Sequence, residues 1–97
     1  MRIRWSDEAR AELLSIVQTI ARTQPAAARK IRDHLRDAVH GLRAHPQLGR
    51  VVPELENPMI RERVVQSYRI MYLVRNQEIL IVTIVHGRQV AGAGGTD

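Results

Sequence analysis

Tyr68-Arg69-Ile70-Met71-Tyr72-Leu73-Val74-Arg75-Asn76-Gln77-Glu78-Ile79-Leu80-Ile81-Val82-Thr83-Ile84-Val85-His86 decides the fold. Residues 68–74 and 79–85 are rich in β-branched, aromatic and other apolar side chains, the composition of strands. The link Arg75-Asn76-Gln77-Glu78 has room only for a tight turn, so an antiparallel hairpin is predicted, without the stronger Asn-Gly signal. Successive strand residues point to opposite faces. One parity of the first strand carries Tyr68, Ile70, Tyr72 and Val74, and the other carries Arg69, Met71 and Leu73. In the second, Leu80, Val82, Ile84, His86 and Arg88 share a parity. The tyrosines therefore face away from Arg69, and at least one of them is expected to pack beneath a covering layer rather than stack on bases.

Working back from the hairpin, residues 60–65 read as a third strand, 53–58 as a loop between prolines, and Arg50-Val51-Val52 as a short extended piece. Before Gly49 the period changes. Ala28, Ile31, Leu35, Ala38, Val39 and Leu42 recur at helical spacing behind Pro25, which suits the first position of a helix, and the pattern stops near His45-Pro46. Ala9, Leu13, Ile16, Val17 and Ile20 form an earlier stripe reaching about Thr23, with Ser6 as N-cap and Asp7 and Glu8 complementing the helix dipole. Ahead of it, Met1, Ile3 and Trp5 alternate with Arg2 and Arg4 as in a half-buried strand. Trp5 is expected in the core. The predicted fold class is α+β: an N-terminal strand, a helical hairpin, then a three- to four-stranded antiparallel sheet with the helices packed on one face and the other face free. Residues 1–90 are expected to form one domain, and 91–97, without packing residues, a flexible tail.

Composition narrows the function. The 97 residues are 44% hydrophobic and 26% charged, as in ordinary globular proteins. No apolar run approaches the roughly 18 residues a membrane span needs. Acids stand at Asp7 and Glu8 where a secretory signal would be apolar, so a cytoplasmic protein without a membrane partner is expected. The absence of cysteine excludes disulfides and thiolate chemistry. Fifteen cations against ten anions give a net charge of +5, and every cation except Lys30 is arginine. Guanidinium forks suit phosphate and carboxylate, although a GC-rich coding bias gives the same count, so the positions must decide.

Arg61 and Arg63 share a strand face and suit either a phosphate clamp or solvated charge. Arg69, inside an apolar strand, must reach solvent, an acid or a ligand, because an unpaired buried charge is costly. His86 is the only sheet histidine and is either structural or able to exchange protons near neutrality. His34, His40 and His45 lack metal-ligand spacing, so neither a metal nor any other cofactor is expected. There is no glycine-rich phosphate loop and no nucleophile elbow.

The chain resembles the RelE/ParE superfamily, toxins of bacterial type II toxin–antitoxin systems. The likeness runs through Ile3, Arg4, Trp5, Ser6 and Ala9, the helix start from Pro25 to Arg29, Leu42, His45-Pro46, Leu48-Gly49-Arg50 and Pro53-Glu54. It is strongest at Arg61-Glu62, Tyr68-Arg69-Ile70-Met71-Tyr72 and Val85-His86-Gly87-Arg88. It implies a growth-inhibiting toxin neutralised by a cognate antitoxin, reaching operator DNA only through the antitoxin complex. In the ParE-like form, which is favoured, the target is DNA gyrase. In the RelE-like form it is ribosome-bound mRNA, cut without metal by attack of a ribose 2′-hydroxyl. A non-toxic binding module on the same fold is the third reading. The RelE pattern carries over to Arg69 and Arg88, and to Arg61 and Arg63 with a one-residue gap; His86 would join them as a proton carrier. The C-terminal tyrosine that serves such enzymes as base has no counterpart after Arg88, which places the ParE-like reading first. In that reading Arg61, Arg63, Arg69 and Arg88 form an outward cationic face for an acidic antitoxin segment or the target.

Overall fold

The computed structural model describes residues 1–87. Its elements are β1 (Arg2–Trp5), α1 (Asp7–Ala21), α2 (Pro25–Gly41), β2 (Arg50–Val51), β3 (Ile60–Val65), β4 (Tyr68–Arg75) and β5 (Glu78–His86). The predicted order is observed, and both helices close earlier than their apolar stripes suggest. Arg88 and the tail 91–97 lie outside the described residues. Among the described residues, no helix is long and apolar enough to cross a membrane.

The β4–β5 hairpin turns through Asn76 and Gln77, both at positive φ (52° and 59°). These are the dihedrals of a type I′ turn, whose twist matches the strands on either side, so the turn forms without the glycine that would mark it in sequence. Strands β2 to β5 are antiparallel neighbours, and β1 joins the far edge parallel to β5, pairing Ile3 with Ile79 and Trp5 with Ile81. The sheet is thus five-stranded and mixed, in the order β1-β5-β4-β3-β2. After the two helices the chain re-enters the sheet as β2, running against β1, and the three reversals from β2 to β5 bring β5 parallel to β1.

Ser6 starts α1 as the sequence predicts. Its Oγ accepts from the Ala9 amide (2.9 Å) and also donates to the Val82 carbonyl (2.8 Å). That second bond falls beside an irregularity in the β4–β5 register between Met71 and Tyr72, where β5 carries one extra residue. The Glu12 carboxylate serves the same place, accepting from Thr83 Oγ1 (2.8 Å) and from the Ile84 amide (2.7 Å). A bulge leaves ladder groups unpaired, and here α1 supplies their partners and is fixed to β5.

The main core lies between helices and sheet. Ala9, Leu13, Leu35, Val39 and Leu42 meet Ile70, Tyr72, Ile79, Ile81 and Ile84, with Tyr68 and Trp5 at its border. The second sheet face is not free. Val52 and Met71 are buried there with Leu55, Ile60 and Val85 around them, because the segment between β2 and β3 folds back over the strands as a strap. Apolar side chains on both sides of β4 leave no face suited to water, so the loop covers what the helices do not.

Candidate functional site

The register between β3 and β4 determines which cations meet. Arg61 pairs with Tyr72, Arg63 with Ile70 and Val65 with Tyr68, whereas Glu62 pairs with Met71 and Val64 with Arg69. Directly opposed residues share a face, so Arg61 and Arg63 stand on the helix side and Arg69 on the strap side. His86, opposite Tyr68, is on the helix side as well. The single outward face of Arg61, Arg63, Arg69 and Arg88 is therefore not what the described residues form. Arg61 and Arg63 share a side with His86, Arg69 lies across the sheet from them, and Arg88 is outside the described residues.

Arg69 is the only buried cation among the described residues, and carboxylates fill its fork. Nη1 and Nη2 donate to the two oxygens of Glu54 (2.6 and 2.8 Å), a bidentate pair, while Nε donates to Glu62 (2.5 Å). The other oxygen of Glu62, a fully buried side chain, accepts from Nε of the largely exposed Arg50 (2.6 Å). Hydrogen bonding to Glu54, then the bond and charge of Glu62, raise the Arg69 pKa above its ordinary value against the opposing effect of burial, so the group is a permanent cation. Its position ties Glu54 of the strap to Glu62 of β3.

On the helix side, Arg61 donates to the Gly49 carbonyl (2.8 Å) and Tyr72 Oη accepts from the Gly49 amide (2.8 Å), which seats β2 against β3. Nε of Arg63 is buried without a hydrogen-bond partner. His86 stands edge-on to Tyr68, with ring centroids 5.8 Å apart. Nδ1 of His34 lies 2.7 Å from Nε2 of Gln66. Among the described residues no group of three His, Cys, Asp or Glu is placed to hold a metal ion.

A surface that pattern reading overlooked lies between α1 and α2, beside Trp5 of β1. Trp5, Leu13, Leu14 and Val17 floor a groove of about 680 Å³, bordered by Arg10, Arg32, Arg36 and His40. Leu14 is 57% exposed, high for leucine. Trp5 borders the core and also opens onto this groove. The signal available in sequence was Leu14 itself, one position off the α1 stripe. Glu54 and Glu62 were also overlooked, although Glu62 and Arg69 are the charged members of the two parities that meet on the strap side.

The sequence matches over residues 3–91 the family described as "ParE toxin of type II toxin-antitoxin system, parDE". A solved structure, the chromosomal ParDE TA system from P. aeruginosa, is similar in fold, with a TM-score of 0.75 at 24% identity, covering 89% of this chain and 95% of that one. No curated protein matches the sequence.

Proposed function

The chain belongs to the ParE toxin family of type II toxin–antitoxin systems, and on that basis we propose that it arrests growth by binding DNA gyrase in the cytoplasm rather than by cutting RNA. As a member of that family it is a toxin with a cognate antitoxin as partner. The observation that carries the choice of target is the division of the predicted cleavage residues. Arg61, Arg63 and His86 stand on one side of the sheet, and Arg69 on the other is occupied by Glu54 and Glu62. General acid–base cleavage needs its groups within hydrogen-bond reach of one phosphate, and two sides of a sheet do not offer that.

For the antitoxin, the groove between α1 and α2 is the better seat. An amphipathic acidic segment would bury its apolar side on Leu13, Leu14 and Val17 and place carboxylates beside Arg10, Arg32 and Arg36. Arg61 and Arg63 would then be left to the target, and operator DNA would be reached through the antitoxin.

Purified chain added to a gyrase supercoiling reaction is expected to lower supercoiling in proportion to its molar ratio to the enzyme, with recovery on addition of equimolar antitoxin. Supercoiling that is unchanged at a large molar excess of folded chain would overturn the gyrase reading.

A further inference from the structure

The cations are concentrated around one aromatic ring. Arg2 from β1, and His40 and Arg43 from the end of α2 and the turn after it, surround Ile3 and Trp5 in an open hollow of about 480 Å³. The hollow continues into the α1–α2 groove, since Trp5 and His40 line both, and there Arg36, Arg32 and Arg10 extend the row. Among the described residues no carboxylate lines either one. Among the described residues Arg32 pairs only with the adjacent Asp33 (3.2 Å), and Arg43 donates only to the Met1 carbonyl (3.2 Å). Arg2, Arg10, Arg36 and His40 have no side-chain partner among the described residues. A helix C-terminus accounts for basic groups at His40 and Arg43, but not for the four arginines on β1, α1 and the body of α2. Such a row repels itself, and a polyanion would relieve it.

We infer that the Trp5 hollow binds single-stranded nucleic acid, an unpaired base stacking on the indole while successive phosphates lie along Arg2, Arg43 and Arg36. Stacking platforms interleaved with guanidinium groups are the usual means of holding an unpaired strand without reading its sequence. Guanidinium forks match phosphate oxygens. The apolar part of the hollow is one indole and one isoleucine, enough for a base and too little for the side of an amphipathic helix, whose natural seat is the leucine floor farther along the groove. The inference requires neither gyrase as target nor the antitoxin seat proposed above.

Trp5 is the only tryptophan, so its fluorescence reports the site directly. Titrating the full chain with an eight-residue oligothymidylate should quench that fluorescence to saturation. With about three phosphates neutralised on a single strand, the dissociation constant should rise about 18-fold between 50 and 200 mM salt. Replacing two exposed groups, Arg2→Gln with Arg43→Gln, should weaken binding at low salt and reduce the salt effect to about threefold, with an unchanged circular dichroism spectrum. The inference fails if the oligonucleotide leaves the fluorescence unchanged, or if the double variant keeps both affinity and salt dependence. It also fails if polyglutamate of equal charge competes as well as the oligonucleotide, which would make the hollow a polypeptide site.

Discussion

Arg69→Ala is expected to destabilise the fold by about 3–5 kcal/mol, the usual cost of removing one partner from a buried ion pair. The Arg69 side chain is 7% exposed, and Glu62, which it neutralises, is fully buried. Without Arg69, the Glu62 carboxylate keeps only the largely exposed Arg50 among the described residues, and Glu54 of the strap loses its bidentate bond to β4. Small domains have a total stability of only about 5–15 kcal/mol, so much of the protein would be unfolded or proteolysed in a cell. Loss of toxicity in this variant would therefore say nothing about chemistry. The informative companion is Arg69→Met with Glu62→Leu, which removes both buried charges and leaves the largely exposed Arg50 to turn to water. Replacing a buried pair by apolar groups of similar volume is often neutral, so urea midpoints should place the double variant well above Arg69→Ala. Equal midpoints would show that this network is not what the single substitution breaks.

Gly49→Ala is the second large effect, at about 2–4 kcal/mol, read as a fall in melting temperature of roughly 10–25 °C for a domain of this size. A Cβ at Gly49 would lie 2.7 Å from Tyr72 Oη and 2.9 Å from the Glu62 carbonyl carbon, and closer still to its oxygen. Neither neighbour can retreat: one is the backbone of β3, and the other is a fully buried tyrosine whose hydroxyl accepts from the Gly49 amide. Relief requires β2 to move away from β3, which also breaks the Arg61 bond to the Gly49 carbonyl. Two buried polar groups then lose partners, at about 1–3 kcal/mol each when left unpaired and less if water enters. An alanine melting within 2 °C of the parent would contradict the close approach described here.

The parts of this fold written in local pattern were legible. β-branched, aromatic and apolar composition in residues 68–74 and 79–85, with a third such stretch at 60–65, marked three strands, helical spacing behind Ser6 and Pro25 marked two helices, and the placement of Tyr72 beneath the helices agrees with its parity. What stayed hidden depends on relations between segments. Parity within β3 and within β4 does not say how the two strands align, and that alignment sets Arg69 across the sheet from Arg61 and Arg63. The strap was hidden for a similar reason: Val52 and Leu55 sit in an irregular stretch between prolines, with no period to show that they cover Met71. Parallel entry of β1 is a property of the crossover rather than of Arg2–Trp5. Trp5 looked like core and does border it, but its second contact, with the cationic hollow, requires α2 to lie beside it.

The central claim is that this toxin disables a protein and leaves RNA intact. Mapping transcript 5′ ends within minutes of inducing the chain in growing cells, before secondary decay, tests it most directly. The account predicts that growth stops while the ends within coding regions stay those of uninduced cells. New ends inside codons of translated messages, appearing with the wild-type chain and lost when Arg61 and Arg63 are replaced in a variant that remains folded, would contradict it.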